Sequence, residues 1–195
     1  MARRSNRASQ NQLRIIAGSW RGRKLFFPDL PGLRPTADRI RETLFNWLQV
    51  DIVGASCLDL YAGSGALGFE ALSRGAEHVV FVDTQRKVIE QLKQNAASLN
   101  ATEKATFLLG DAALYLSHND EAIKFDLVFL DPPFKQNLLA PCLQGLQKKA
   151  LLKAGAKVYI EMEASLTDEH MLDDWHIAKQ KTAGNVRYCL LQCGP

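Results

Sequence analysis

The stretch Phe-Asp-Leu-Val-Phe-Leu-Asp-Pro-Pro-Phe, residues 125–134, contains a strand and the turn that ends it. The apolar run from Leu127 to Leu130 has the length and the β-branched and aromatic content of a strand buried on both faces. Two adjacent prolines cannot continue a central strand, because neither has an N–H for the hydrogen-bond ladder. The sequence therefore predicts a stiff turn, Asp131 to Phe134, at the carboxyl end of a strand, where open α/β sheets bind their ligands.

The predicted turn suits a planar substrate with an exocyclic amine, such as a nucleobase. The lone pair of such an amine is delocalised into the ring, so the nitrogen is a poor nucleophile. Acceptors for its two hydrogens, from the Asp131 carboxylate and the Pro132 carbonyl, favour a pyramidal nitrogen with an available lone pair. The ring of Phe134 can lie against the flat substrate. The predicted catalytic residues are Asp131, Pro132, Pro133 and Phe134. The alternative is a proline-terminated loop with a solvated aspartate.

Strands and helices alternate from residue 56 onward. The pattern predicts strands over 56–61, 78–83, 105–109, 125–131 and 157–162, and helices over 65–74, 85–99, 111–118 and 137–150. After a short helix near 167–172, the runs 175–183 and 186–193 predict a hairpin through which the last strand enters the sheet antiparallel. The sequence thus predicts an α/β, Rossmann-like fold with a mostly parallel seven-stranded sheet and helices on both faces.

A glycine-rich loop follows the first of these strands. It reads Ala62-Gly63-Ser64-Gly65-Ala66-Leu67-Gly68, and its glycines let backbone N–H groups at a helix N-terminus approach an anionic or polar ligand. Asp83, at the end of the next strand, is placed to accept hydrogen bonds from ribose hydroxyls. The same spacing occurs in dinucleotide sites, so an NAD(P)-dependent oxidoreductase is the alternative.

Three observations favour S-adenosylmethionine over a dinucleotide. Asp59 lies four residues before the first glycine, where a carboxylate opposes a pyrophosphate but suits an ammonium group or its water. Asp111 follows the third strand, where it can accept from an adenine amino group. The remaining residues offer no hydride-transfer chemistry, whereas the turn at 131–134 offers amine chemistry. The predicted cofactor-binding residues are Asp59, Ala62, Gly63, Ser64, Gly65, Asp83, Asp111 and Ala112.

Positive charge is concentrated in the N-terminal part of the chain. Residues 1–41 contain ten Lys/Arg and two Asp, a balance of +8, and the rest of the chain has a balance of −5. A basic segment attached to an acidic body is typical of a protein that binds a polyanion. The alternative is a solubilising tail without a target.

The basic segment is predicted to start with a disordered stretch, residues 1–11, followed by a hairpin of strands 13–16 and 24–27. Its tip interleaves Trp20 with cations, which suits base stacking and phosphate contacts, although the indole can equally cap a small core. Thr36 is expected to cap a helix over 37–48 that turns cations toward the ligand edge. The predicted RNA-binding residues are Arg14, Trp20, Arg21, Arg23, Lys24, Arg34, Arg39 and Arg41.

Composition excludes several classes of protein. The 195 residues, 47% hydrophobic and 23% charged, are ordinary for a soluble globular domain with a sizeable core. No apolar run approaches the ~20 residues of a membrane span and no signal peptide is evident, so we expect a cytoplasmic protein without membrane contact. The four cysteines show no Cys-x-x-Cys spacing and the four histidines are scattered, so no metal site is expected.

Together these motifs resemble class I S-adenosylmethionine-dependent methyltransferases that act on exocyclic amines. The segments Leu13–Leu25 and Leu33–Leu48 are the more specific part and are similar to the RsmD family, bacterial 16S ribosomal RNA (guanine-N2)-methyltransferases. The segment Asp59–Gly68 also fits this family, although such core motifs are widely shared. The likeness extends from about residue 12 to the C-terminus. We accordingly divide the chain into a basic RNA-binding arm, residues 1–34, and a methyltransferase domain, residues 35–195.

The resemblance implies methylation of N2 of one guanine in 16S rRNA, with S-adenosylhomocysteine as the second product. It implies that Gly63 and Gly65 line the cofactor, that Asp83 binds ribose, that Asp111 faces adenine and that residues 131–134 hold the guanine. The implied substrate is the small ribosomal subunit or its assembly intermediate, and we expect a monomer. The alternatives are an amino-methyltransferase acting on DNA or protein glutamine, and a non-catalytic RNA-binding assembly factor.

Overall fold

A computed structural model of the chain describes residues 11–118, 123–148, 151–166 and 170–193. The predicted disordered stretch therefore lies outside the described residues except for Asn11. The same holds for the last two residues of the helix predicted over 137–150 and the first three of the helix predicted over 167–172.

The described residues form nine strands and five α-helices in the predicted order. The strands are β1 (Asn11–Arg14), β2 (Lys24–Phe27), β3 (Ser56–Asp59), β4 (His78–Asp83), β5 (Ala105–Leu109), β6 (Phe125–Leu130), β7 (Leu152–Glu163), β8 (Trp175–Ala183) and β9 (Val186–Cys193). The helices are α1 (Asp38–Trp47), α2 (Ala66–Ser73), α3 (Arg86–Ser98), α4 (Ala112–His118) and α5 (Leu139–Lys148). Short 3₁₀ helices span Thr102–Lys104 and His170–Leu172.

Seven strands form one sheet in the order β5-β4-β3-β6-β7-β9-β8, and β1 pairs with β2 in a separate antiparallel hairpin. Within the large sheet β9 runs antiparallel to both of its neighbours and the other pairs are parallel. The predicted fold class, including the antiparallel last strand, is confirmed. β3 and β6 are adjacent, so the glycine-rich loop and the Asp131 turn lie side by side at the carboxyl edge of the sheet.

The strands are buried on both faces because the helices cover both. Successive residues of a strand point to opposite sides, and Leu127 and Phe129 belong to one core while Val128 and Leu130 belong to the other. The first core includes apolar residues of α1, α2 and α3, and the second includes those of α4 and α5. This alternation explains why β6 is an uninterrupted apolar run in the sequence.

The N-terminal hairpin shares the first core with the sheet. Its buried residues Leu13, Ile15, Leu25 and Phe27 all pack there. The segment after β1 is fixed on α2 by the Glu70 carboxylate, which accepts from the Ile16 and Ala17 amides at 2.8 and 3.0 Å. The hairpin is therefore an integral layer of the molecule, packed on α2 and α3.

Two sequence-based expectations about α1 are wrong. The helix starts at Asp38 after Ala37, without a side-chain cap, so Thr36 does not cap it. Arg41 does not present a cation toward the ligand edge, because its side chain is fully buried and its Nη1 lies 3.4 Å from Glu70 Oε2. Arg41 Nη2 also donates to the Arg14 carbonyl oxygen at 2.9 Å.

β7 is longer than the predicted strand over 157–162 and begins at Leu152. Leu152 pairs with Phe125, whereas Lys157 pairs with Leu127, so β7 contains an irregularity next to the start of β6. A bulge of this kind inserts residues that the period-2 pattern does not reveal.

Candidate active site

The Asp131 turn lies where the sequence predicts it, directly after the last residue of β6. The Asp131 carboxylate is half-buried and its Oδ2 accepts a hydrogen bond from the Thr36 hydroxyl at 3.2 Å. Burial raises the pKa of Asp131 to about 6, and the hydrogen bond from Thr36 opposes that rise. Asp131 is therefore ionised at neutral pH and can accept hydrogen bonds.

The rest of the turn borders an open cleft at the carboxyl edge. Pro132 is buried, Pro133 is exposed and the Phe134 ring is 36% exposed. The cleft holds about 430 Å³, counting the space open to solvent. Its wall is formed by the turn and by the ends of β7 and α5, and includes Pro132, Phe134, Leu138, Glu161, Met162 and Leu166.

The glycine-rich loop crosses from β3 into α2 with two residues in the left-handed region. Gly63 has φ 47° and Gly65 has φ 76°. A Cβ on Gly65 would lie 2.6 Å from Leu92 Cδ2, so this position is packed against α3. A Cβ on Gly63 would meet only the Tyr61 carbonyl oxygen, at 3.8 Å, so the space before it is open to a ligand. Ala62 and Ser64, the loop residues on either side of Gly63, are buried.

Asp83 joins this loop to the next strand. Its Oδ2 accepts from the Gly63 amide at 3.0 Å and its Oδ1 accepts from the Gln85 amide at 2.8 Å. Burial raises the pKa of Asp83, and the two amides oppose that rise. Each carboxylate oxygen has a second lone pair, so Asp83 can accept further hydrogen bonds from a ligand diol.

Asp111 begins α4 on the other side of Asp83. Its Oδ1 accepts from the Ala113 and Leu114 amides at 2.9 and 3.0 Å, so the side chain caps the helix. Asp111 is exposed, and Ala112 beside it is buried. Both residues lie at the carboxyl edge, next to the end of β4 through the hydrogen bond from the Gly110 amide to the Asp83 carbonyl at 3.0 Å.

Asp59, by contrast, is buried under the loop, with an exposure of 3%. Its Oδ2 accepts from the Gly68 amide at 3.1 Å in the first turn of α2. Burial raises the pKa of Asp59 to about 7, the Gly68 amide opposes the rise, and the charges of Asp131 and Asp83 add to it. Asp59 therefore supports the loop from below and is electrostatically coupled to the Asp131 turn.

Three residues next to Asp131, namely Glu161, Tyr159 and Thr36, are not among the site residues predicted from the sequence. Glu161 on β7 is buried, with Tyr159 donating to its Oε1 at 2.8 Å, and the Thr36 hydroxyl donates to Asp131 Oδ2 at 3.2 Å. The sequence contains one usable signal, because Glu161 is a lone acid in the apolar run from Val158 to Met162. No pattern in the sequence indicates the contact of Thr36 with Asp131, because the two residues are 95 positions apart.

The predicted RNA-binding residues divide between the two edges of the sheet. Trp20 packs half-buried on the first core, and its amide donates to Ser73 Oγ at 3.0 Å. Arg23 donates to the Ser98 carbonyl at 2.7 Å. Ser73 and Ser98 end α2 and α3, so the hairpin tip lies at the amino edge. Arg34 and Arg39 are exposed beside Thr36, near the Asp131 turn. Arg14, Arg21 and Lys24 are exposed on the hairpin.

Two further observations concern metal ions and membranes. Among the described residues, no group of three or more His, Cys, Asp or Glu is arranged to hold a metal ion. In the same part of the chain, every helix is too short or too polar to cross a membrane.

The strand order, the glycine loop against β4 and the acidic turn after β6 define a class I methyltransferase fold. A solved structure of the protein yhhF from Escherichia coli, 44% identical, superposes with a TM-score of 0.82 over 94% of this chain and 98% of that chain. The 16S rRNA N2 G1207 methyltransferase (RsmC) of Thermus thermophilus, solved with AdoMet and guanosine, shares this fold. It is 19% identical, with a TM-score of 0.74 over 95% of this chain and 50% of that chain.

The chain belongs to the family of ribosomal RNA small subunit methyltransferase D. It is similar to the protein of that name from Escherichia coli strain K12, 43% identical over 97% of this chain and 94% of that protein. The Haemophilus influenzae protein of the same name is 43% identical over 94% of this chain and 95% of its own length. The family model "Conserved hypothetical protein 95" matches residues 13–192. The predicted family and the prediction of a methyltransferase are confirmed, and the oxidoreductase alternative is set aside.

Proposed function

We propose that this chain transfers a methyl group from S-adenosylmethionine to the exocyclic N2 of a guanine in 16S rRNA, with S-adenosylhomocysteine as the second product. The observation that carries the proposal is the adjacency of the Asp131 turn and the glycine-rich loop at the ends of β6 and β3. The names of the relatives supply the substrate class. We propose that the enzyme acts as a cytoplasmic monomer on the small subunit or on its assembly intermediate.

The cofactor fits the residues beside the loop. We infer that Gly63 and Gly65, with Ala62 and Ser64, line its amino-acid end and that Asp83 accepts from the ribose hydroxyls. Asp111 and Ala112 border the adenine, and Asp59 holds α2 and the loop in place from beneath. When bound, S-adenosylmethionine supplies an electrophilic methyl group on its sulfonium.

The Asp131 turn orients and activates the acceptor nitrogen. Asp131 and the Pro132 carbonyl accept the two N–H hydrogens of the guanine amino group, which concentrates the nitrogen lone pair on the side facing the methyl donor. Fixed acceptors that face a growing positive charge contribute electrostatic stabilisation without reorganisation. Phe134 stacks on the target base, as aromatic side chains do on bases splayed out of RNA loops.

The proton of the reaction leaves after the methyl group has arrived. The alkylated nitrogen is strongly acidic, so a weak acceptor suffices, and the ionised Asp131 carboxylate is hydrogen-bonded to it. The pKa of about 6 keeps Asp131 ionised at neutral pH and still allows it to carry the proton briefly. The turn therefore both aligns the amine and provides a carboxylate that accepts its proton.

The RNA-binding role of the arm is also a proposal. We propose that residues 1–34 form an RNA-binding extension of the methyltransferase domain, residues 35–195. The exposed cations extend from Arg34 and Arg39 at the carboxyl edge to Arg21 and Lys24 at the amino edge. A six-residue strand such as β4 spans about 20 Å, so an RNA that contacts both groups must be at least that large. A ribosomal particle meets this condition.

The decisive experiment uses small subunits from a strain in which the gene is deleted. Purified enzyme and labelled S-adenosylmethionine are incubated with these subunits, and the label is mapped in the rRNA. We expect one N2-methylguanine in 16S rRNA and none with the Asp131→Ala variant. Label in ribosomal protein, or in DNA and protein fractions incubated in parallel, would instead support the alternative substrates, and cofactor binding without methylation would support an assembly factor.

A further inference from the structure

Asp131 stands in a turn whose own backbone is poorly equipped to hold its side chain. An aspartate at a turn is commonly fixed by the backbone amide two residues further on, which donates to its carboxylate. Asp83 and Asp111 are held in this way, at 2.8 and 2.9 Å. The residue two positions after Asp131 is Pro133, which has no N–H. The carboxylate therefore needs a donor from elsewhere in the fold.

The hydroxyl group of Thr36 is such a donor. It donates to Asp131 Oδ2 at 3.2 Å from the segment between the N-terminal hairpin and α1. Within the part of the chain that the structure describes, no other hydrogen bond and no salt bridge reaches the Asp131 side chain. The buried Tyr159 hydroxyl on the neighbouring strand donates instead to Glu161 Oε1 at 2.8 Å. One oxygen of the Asp131 carboxylate is thus held by Thr36, and Oδ1 is left for a ligand.

The Thr36 hydroxyl is itself held in place. The Thr36 side chain is buried, and its branched Cβ restricts the rotation of χ1. The next residue, Ala37, starts the first turn of α1, because its carbonyl oxygen accepts from the Ile40 and Arg41 amides at 2.9 and 3.0 Å. The buried Arg41 guanidinium in turn pairs with Glu70 of α2 at 3.4 Å. The hydroxyl therefore belongs to a rigid part of the fold.

We propose that Thr36 is a positioning residue for methyl transfer: its hydroxyl holds Asp131 Oδ2, and this directs Oδ1 at the substrate amine. This inference rests on the proposed function. A carboxylate is planar, so fixing one oxygen also fixes the direction of the other. Without the bond the carboxylate rotates about χ2, which has broad energy wells, and the amine loses a preorganised acceptor. Thr36 thus acts on the reaction through Asp131, without contacting the substrate.

The alternative is that Thr36 serves only to pack its buried methyl group. The hydroxyl and the methyl group can be removed separately. Thr36→Val keeps the shape of the side chain and loses the hydroxyl, whereas Thr36→Ser keeps the hydroxyl and loses the methyl group. Positioning of Asp131 requires Thr36→Val to be the slower enzyme, whereas a packing role requires Thr36→Ser to be the more impaired variant.

The test measures kcat and KM of these variants on small subunits from the deletion strain. Thr36→Val should lower kcat on the order of tenfold, with an unchanged KM for S-adenosylmethionine, because a hydrogen bond to a charged group is lost. Thr36→Ser should recover most of that loss. Thr43→Val is the matched control: the Thr43 hydroxyl donates to the Arg39 carbonyl oxygen at 3.0 Å within α1, so its removal should leave kcat at the wild-type value.

The outcomes separate this inference from the proposed function. If wild-type enzyme does not methylate 16S rRNA, the proposed function fails and this inference fails with it. If it does, and Thr36→Val has the wild-type kcat or Thr36→Ser is as slow as Thr36→Val, the role of the hydroxyl is refuted while the function stands. Unfolding in urea identifies any variant that fails to fold. If Thr36→Val does, Thr36→Ala is compared with Thr36→Ser, from which it differs by the hydroxyl alone, and equal kcat values would refute the proposal.

Discussion

Arg41 and Glu70 form an ion pair at 3.4 Å in which both side chains are fully buried. The Glu70 carboxylate also accepts hydrogen bonds from Arg74 Nε at 2.8 Å and from the two backbone amides of the segment that follows β1. One carboxylate thus joins the N-terminal hairpin, α1 and α2. Buried charges of this kind stabilise a particular arrangement only while every partner is present.

Glu70→Ala should therefore destabilise the whole fold. Its removal leaves two amides without acceptors and takes one of two counter-charges from the buried Arg41, whose other partner is Asp38 Oδ1 at 2.6 Å. We expect the free energy of unfolding to fall by about 3–5 kcal/mol. Urea unfolding measures this loss. Glu77→Ala, at an exposed position just after the end of α2, is the control and should change the value by less than about 0.5 kcal/mol. Equal losses in the two variants would contradict the role of Glu70 in joining the hairpin, α1 and α2.

Asp131→Asn should remove the charge that faces the amine while keeping the shape of the side chain. We expect kcat to fall about 10²- to 10³-fold, as for other preorganised partners of a transition state. Calorimetric titration with S-adenosylmethionine should show nearly unchanged affinity. Asp174→Asn, exposed before β8, is the control and should have wild-type kcat. Loss of cofactor affinity in Asp131→Asn would assign Asp131 to cofactor binding instead.

Asp59 should make the protein less stable as the pH rises. Its pKa rises from the ordinary 3.8 to about 7 in the fold, so its neutral form is favoured in the folded state. The stabilisation that the neutral Asp59 carboxyl gives to the folded state is fully present below pH ~4. It is lost as the pH rises through 7, where the buried group ionises. Asp59→Asn cannot ionise, and its carbonyl can still accept from Gly68. Between pH 5 and pH 8, we expect the free energy of unfolding of Asp59→Asn to rise relative to that of the wild type by up to about 3 kcal/mol. Parallel pH dependence of the two proteins in urea unfolding would refute this.

Gly68→Ala should disrupt the packing of α2 on the sheet. A Cβ at this position would lie 2.2 Å from Phe81 Cε1 in the buried aromatic cluster formed with Phe69 and Phe107. The overpacking should cost about 1–3 kcal/mol in the free energy of unfolding. Gly110→Ala meets nothing within 4 Å and is the matched control. A thermal-unfolding midpoint equal to that of the control would show that α2 shifts without cost.

The exposed cations near the Asp131 turn should contribute to RNA affinity. Arg34→Ala and Arg39→Ala should each weaken binding of 16S rRNA and reduce the slope of log K against log salt by about one. Binding of S-adenosylmethionine should not change. Lys104→Ala, exposed in the 3₁₀ helix before β5, is the control and should keep the wild-type slope. An equal effect of Lys104→Ala would indicate nonspecific attraction to the whole surface.

The sequence is informative wherever local chemistry determines the structure. The buried run of β6, the two prolines after it and the glycines after β3 each have a local cause, and all three features lie where they are predicted. Arg41 shows the limit, because a cation next to Ile40 on a helix resembles a surface residue until Glu70, 29 positions later, is folded against it. Thr36 illustrates the same limit, since a threonine before a helix is a common cap and its partner Asp131 is 95 positions away.

The candidate site can also be predicted only in part. The acids at successive strand ends can be grouped from the sequence, because parallel strands bring their carboxyl ends to the same edge of the sheet. Glu161 escapes detection because the ladder register, which sets it beside Asp131, depends on the irregularity in β7. Pairing partners in a parallel sheet are fixed by distant contacts, and a single sequence does not contain them as a local pattern.

The hairpin docked on Glu70 also limits how such an enzyme can acquire a new target. A recognition module on a flexible tether can be exchanged between relatives, whereas this one supplies Leu13, Ile15 and Leu25 to the interior and two amides to a buried carboxylate. Grafting a foreign arm would require matching changes in α1 and α2. Retargeting is therefore easier by substituting outward-facing side chains on the existing hairpin, where the scaffold tolerates variation.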